Sequence, residues 1–273
     1  QVLSQNTNAQ ISWSALNISQ VKLEYSLNNG TSWNTIVEGT PAITGSYNWA
    51  IPVIDYTQNY EQCLIRISDS QDLMIKQVSA EVFTLLAPTP SVVILSTPQN
   101  NAVNQALSPT LNWGNSQYAC HYQLLVATDN AFNNVLADID SLTALSYPLA
   151  DLNYAQTYCW KVRSSNPGGY SAWSDVYSFT VRNPLQYQLP DQIVINEDTV
   201  QTIDLGQYTN ALADDNLLFT VNPDSDLNPV ITDNSLMISP SANWFGQKWV
   251  KTQVSSLIRN DNVVLNDSLL VLV

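Results

Sequence analysis

The residues best equipped for chemistry crowd two short stretches near the C-terminal end of the chain. Asp214-Asp215-Asn216 and Asp224-Ser225-Asp226 place oxygen donors at turn positions. Calcium takes six to eight oxygen ligands in relaxed geometry, which clustered Asp and Asn on loops supply. Residues 185–273 carry 11 acidic side chains against Lys248, Lys251 and Arg259, a balance of −8 within a chain total of −14. Asp214, Asp215, Asn216, Asp224 and Asp226 are therefore the candidate ligands for Ca2+, the one cofactor these residues offer. Their spacing does not follow an EF-hand loop. The competing reading is a solvated acidic face whose Asp and Asn side chains cap turns.

Other chemistries find less to work with. The single histidine, His121, lies between Cys120 and Tyr122, so a zinc site would need ligands from far along the chain. No G-x-S-x-G frames a serine for nucleophilic attack. The reading is non-catalytic. The three cysteines, Cys63, Cys120 and Cys159, show no metal-binding spacing. Either Cys120 and Cys159 bridge within the middle of the chain, or all three are small buried apolar residues. Trp33, Trp49, Tyr170 and Trp249 would serve as sugar-stacking platforms if exposed, but each also sits where a core or a hairpin uses an aromatic. Trp173 is expected to pack on the stem of Arg163 or Arg182.

A surface with 23 acidic and 9 basic side chains repels phosphate backbones, which argues against a nucleic-acid partner. No apolar run reaches eighteen residues, so no membrane-spanning helix is expected. Apolar residues recur with period two rather than 3.6: Val21, Leu23 and Tyr25; Tyr47, Trp49 and Ile51; Tyr122, Leu124 and Val126; Tyr158, Trp160 and Val162. That alternation predicts half-buried strands. Asn28-Asn29-Gly30 and Pro167-Gly168-Gly169 read as turns between them. Leu86-Ala-Pro-Thr-Pro90 reads as a stiff linker, and Pro184–Pro190 as a second linker whose Leu185 and Tyr187 are expected to glue the flanking domains together. The fold class is all-β, three tandem immunoglobulin-like (fibronectin type III-like) sandwiches over residues 1–86, 87–184 and 185–273.

Three stretches carry family resemblance. Tyr25, Ser26, Asn29, Gly30, Trp33, Tyr47, Trp49 and Pro52 resemble the immunoglobulin-like repeats of secreted Bacteroidetes proteins. The run from Tyr122 to Asp138, the approach to Tyr158, and Ser171-Ala-Trp173-Ser174 resemble fibronectin type III. Glu197-Asp198-Thr199, with Asp233, Asn234, Leu236, Ile238, Pro240, Asn243, Trp244 and Gly246, resembles cadherin-like repeats of large surface proteins. In that last family an aspartate-rich strand follows, where this chain has Ser255-Ser256-Leu257.

These resemblances imply an exported chain, extracellular or at the cell surface, that acts by spacing, adhesion or self-association. Its expected partners are proteins or further copies joined through edge strands, with a glycan as another possible ligand. The alternative is a carbohydrate-binding accessory region of a larger secreted enzyme.

Overall fold

The computed structural model describes residues 1–256 and 263–273. Leu257, Arg259 and Asp261, which enter the sequence argument above, lie outside the described residues. The chain is all-β, with two single-turn 3-10 segments, Ala42–Thr44 and Leu205–Tyr208, as its only helical elements among the described residues. None of its described helices is long and apolar enough to cross a membrane. Strands from residues 2–86, 95–181 and 192–272 form separate pairs of sheets, as expected for sandwiches.

The first pair uses β1 (Val2–Ser4), β2 (Asn8–Ser12), β3 (Gln20–Ser26), β4 (Asn34–Pro41), β5 (Ser46–Ala50), β6 (Tyr60–Asp69), β7 (Lys76–Val78) and β8 (Phe83–Leu86). Its larger sheet runs β1-β8-β6-β3-β4, with β7 also on β6, and its smaller sheet is β2-β5 alone. Tyr25, Trp49, Ile51, Cys63, Phe83 and Leu85 make the core between them. Gly30 explains the first hairpin: it stands at φ 82 after Asn29 at φ 50, left-handed conformations that glycine and asparagine tolerate.

The second pair uses β9 (Leu95–Thr97), β10 (Ala102–Gln105), β11 (Thr110–Trp113), β12 (His121–Ala127), β13 (Val135–Leu142), β14 (Ser146–Pro148), β15 (Thr157–Asn166), β16 (Gly169–Tyr170) and β17 (Tyr177–Val181). Its sheets run β10-β17-β15-β12-β13, with β16 on β15, and β14-β11-β9. Trp160, Val162, Leu124 and Val126 are fully buried. Tyr158 stacks on Phe179 at 5.7 Å between ring centres.

The third pair uses β18 (Gln192–Val194), β19 (Gln201–Asp204), β20 (Leu217–Val221), β21 (Val230–Thr232), β22 (Ser235–Ile238), β23 (Gln247–Ser256) and β24 (Val264–Leu272). Its sheets run β18-β24-β23-β20 and β19-β22-β21. Along β23, Val250, Thr252 and Val254 point inward while their odd-numbered neighbours Lys251 and Gln253 are exposed, the two-residue alternation of a half-buried strand.

By compactness the chain forms two units. One holds Gln1–Ala102, Thr110–Pro148 and Thr157–Phe179, and the other holds Val103–Pro109, Leu149–Gln156 and Thr180–Val273.

All three cysteines are free. Cys159 pairs opposite Ala127 at one end of the β12–β15 ladder, and the Cys120 amide meets the Ser165 carbonyl at the other. Six residues of strand, about 20 Å, separate them, far beyond the roughly 7 Å a disulfide bridges.

Candidate functional site

Charged and amide side chains gather on the linkers, on one face of β15, on the turns either side of β20, and around Lys22, Glu24, Glu38 and Arg66.

The linker after β8 is built into the first unit. Ala87, Pro88 and Pro90 are buried. Two asparagines hold it. The Asn59 side-chain amide accepts from the Ala87 N–H at 2.8 Å and donates to the Pro167 carbonyl at 2.8 Å. Asn166, at the end of β15, donates to the Pro88 carbonyl at 2.7 Å and the Tyr118 carbonyl at 3.0 Å, and accepts from the Gly168 N–H at 2.8 Å. A side-chain amide offers two donors and an acceptor, so each asparagine ties two chain segments together. Tyr56 and Tyr118 add a ring contact at 5.9 Å. Gly168 lets the backbones meet: a Cβ there would lie 2.1 Å from the Ala87 carbonyl oxygen.

The linker after β17 lies within the second unit and follows the same logic. Asn210 accepts from the Gln186 N–H at 2.7 Å and donates to the Pro184 carbonyl at 2.9 Å. Leu185, Tyr187 and Leu189 are buried in the core with Phe219 and Val254. Tyr187 shares a 2.6 Å hydroxyl–hydroxyl hydrogen bond with Thr252, and burial pushes its phenol pKa up. Asp267 accepts from the Leu189 N–H at 2.6 Å.

The proposed calcium ligands fall into two separate groups at opposite ends of β20, a strand of five residues that spans about 17 Å. At one end Arg182 donates to Asp215 at 2.9 Å and to Asp214 at 3.2 Å. The Asp215 side chain is wholly buried and also accepts from the Leu212 N–H at 2.8 Å. The Arg182 backbone is held as well, its N–H by the Gln105 carbonyl and its carbonyl by the Ala155 N–H. Asn216 is exposed beside them.

At the other end Lys248 reaches Asp224 at 2.9 Å and Asp226 at 2.5 Å. The Lys248 hydrogen bond, helped by the Leu227 and Asp226 N–H groups, holds the Asp224 carboxyl below its usual range. Hydrogen bonds to Asp226 and Asp224 in turn raise Lys248. Among the described residues no three His, Cys, Asp or Glu side chains come together in a group able to hold a metal ion.

The aromatic candidates also separate. Trp49 is core, at 3% exposure. Trp33 lies under the Arg66 guanidinium at 4.3 Å, and that arginine is bound to Glu24 at 2.6 Å. Tyr170 lies under Arg163 at 3.9 Å. Trp249 is 57% exposed on β23. On the outer face of β15, Lys161 sits over Phe132 at 4.0 Å and Trp173 at 4.9 Å, while Arg163 covers Trp173 at 4.5 Å. Trp173 thus packs on Arg163 as expected and on Lys161, which the sequence reading did not name; Arg182 is engaged by the acids instead. Interleaved cations and rings make a laminated surface whose aromatic faces are already occupied.

His121 is exposed at the start of β12. Its neighbour Cys120 has a thiol pushed up by burial, the opposite of what a nucleophile requires.

No protein-family model matches the chain, and no curated protein matches it. Solved structures do. Over 99% of this chain and 94% of theirs, it is similar to titin domains I67–I69, at 10% identity and a TM-score of 0.41. A two-domain fibronectin type III segment of chicken tenascin matches 66% of the chain, over 94% of its own length, at 11% identity and a TM-score of 0.41. The fibronectin(III)-like modules of Clostridium thermocellum CbhA match 67%, over 89% of their own length, at 14% identity and a TM-score of 0.30. Against the chicken CNTN1 FN1–FN3 domains, at 14% identity and a TM-score of 0.31, 67% of the chain is covered, and it spans 65% of that fragment's length.

Proposed function

We propose that this chain is a non-catalytic spacer and contact module of an extracellular or cell-surface assembly, organised as three sandwiches over residues 1–86, 87–184 and 185–273. The observation that carries this reading is the linker of residues 87–90. A tether would leave its backbone to solvent, whereas here the Ala87 N–H and Pro88 carbonyl are satisfied by side chains from both flanking sandwiches. Two prolines fix backbone angles in the same segment, which lowers the entropy of ordering it. Arg66, Arg182 and Lys248 are likewise engaged by Glu24, Asp215 and Asp224, leaving surfaces and sheet edges, rather than a reactive centre, as the means of action.

Hydrogen exchange at the Ala87 amide tests the spacer role. Slow exchange in the full chain, lost on Asn59→Ala, is the expected result. Exchange at the rate of an unstructured peptide in the unsubstituted chain would rule out a clamped linker.

A further inference from the structure

The first sandwich closes its apolar interior less completely than the second. In the second, β11 is flanked on both sides, by β14 and by β9. Leu95 of β9, opposite Trp113 of β11, is buried at 6% exposure and roofs the interior. In the first, β2 pairs with β5 and, among the described residues, with no other strand. Beside its open edge lies a groove of about 450 Å3, where Ile11, Ile65, Ile67 and Val78 remain half-buried.

The backbone of β2 is arranged for a neighbour. The Ile51 N–H donates to the Thr7 carbonyl at 2.8 Å and the Trp13 N–H to the Gly45 carbonyl at 2.9 Å, just outside the two ends of the strand. In an antiparallel pair the bonding direction alternates, so Ala9 and Ile11 face β5 with their peptide groups. The N–H and carbonyl groups of Asn8, Gln10 and Ser12 then point to the open edge, where no described strand meets them. They repeat every two residues, about 6.7 Å, which is the spacing of a strand's own donors and acceptors. No side chain lining the groove is charged, although the chain as a whole carries −14. A neutral strip on an acidic molecule suits an uncharged occupant.

We infer that the β2 edge accepts a strand from another polypeptide chain: an extended, uncharged segment with apolar side chains at alternate positions, which fill the groove while its backbone continues the β5-β2 sheet. This rests on reading the chain as a contact-making module. It is independent of the linker clamp, so its failure would leave the spacer role standing.

The test is fluorescence anisotropy of the full chain with a labelled seven-residue peptide of alternating Thr and Val, flanked by Gly-Ser pairs for solubility. Two control peptides carry Ser for Val, or N-methyl groups on the residues of one backbone edge. Gln10→Pro removes an outward N–H and leaves the β5 bonds intact, a position where an edge strand tolerates proline. Val78→Lys places a charge in the groove. The Val peptide is expected to bind. The Ser peptide, the N-methyl peptide, Gln10→Pro and Val78→Lys are each expected to weaken binding about tenfold or more, the loss of one or two hydrogen bonds or of apolar contact. No binding of the Val peptide, or equal binding of the N-methyl peptide, overturns the inference. The N-methyl comparison uses the unsubstituted chain, so it decides the matter even if a variant misfolds.

Discussion

Arg182 and Asp215 make the most demanding quantitative prediction. Their side chains are 9% and 0% exposed and meet at 2.9 Å, whereas Asp214, 65% exposed, adds a second contact to the arginine from outside at 3.2 Å. Removing one partner of a buried pair strands the other charge, at a cost of about 3–5 kcal/mol, while an exposed partner is worth about 0–1 kcal/mol. Arg182→Met is therefore expected to destabilise the second unit by about 3–5 kcal/mol, because the Asp215 carboxylate stays buried with the Leu212 N–H still donating. A loss of 3 kcal/mol corresponds to about 12–24 °C in Tm for a unit of roughly a hundred residues. Asp214→Ala is expected to cost under about 1 kcal/mol. The double change Arg182→Met/Asp215→Leu removes both charges and is expected to recover most of the loss, since apolar replacements of buried pairs are often neutral. Urea unfolding read from amide resonances of the second unit, arranged as a double-mutant cycle, measures all four states. Equal costs for Asp214→Ala and Arg182→Met, or a double variant as unstable as the sum of the singles, would refute the reasoning.

Gly168→Ala forces a methyl group against the Ala87 carbonyl. It is expected to cost about 1–3 kcal/mol by overpacking and to release hydrogen-exchange protection at residue 87. The Lys248 cluster sets two limbs of a pH profile. Asp224 is depressed below its reference value of 3.8, so its contribution is present above that pH and lost as pH falls through the lower folded value. Lys248 is raised above 10.5, so its contribution is present below that pH and lost as pH rises through the higher folded value. Thermal scans from pH 2 to 12 are expected to show both limbs shrink in Lys248→Met, and an unchanged acid limb would contradict the pairing. For calcium to use Asp224 and Asp226 it must displace Lys248. Chelation is therefore expected to leave Tm unchanged, and a calcium-dependent rise of several degrees would instead establish a site.

The strands were legible because two-residue periodicity needs only local sequence. Tyr158, Trp160 and Val162 announce an inward face that the structure reproduces, as do Tyr122, Leu124 and Val126 on β12. The carboxylates at 214–226 were legible as charges but not as partners. Arg182 lies more than thirty residues before Asp215, and nothing local says which cation will reach it. Trp33 and Tyr170 looked like free ring faces because the arginines covering them come from other strands. The clamping asparagines Asn59, Asn166 and Asn210 left no signal beyond that of any turn residue. Their roles depend on carbonyls and amides that become available only when the linkers are folded against them. The open edge of β2 was equally hidden, since alternation reports which face of a strand is apolar and not whether a neighbour lies beside it.

The central claim, that the linker of residues 87–90 holds the first two sandwiches as one body, is met most directly by 15N relaxation on the full chain. The account expects residues of β3 and β6 to share one rotational correlation time with residues of β12 and β15. A distinctly shorter time for β3 and β6 would mean that the first sandwich reorients on its own, and the spacer reading would fall.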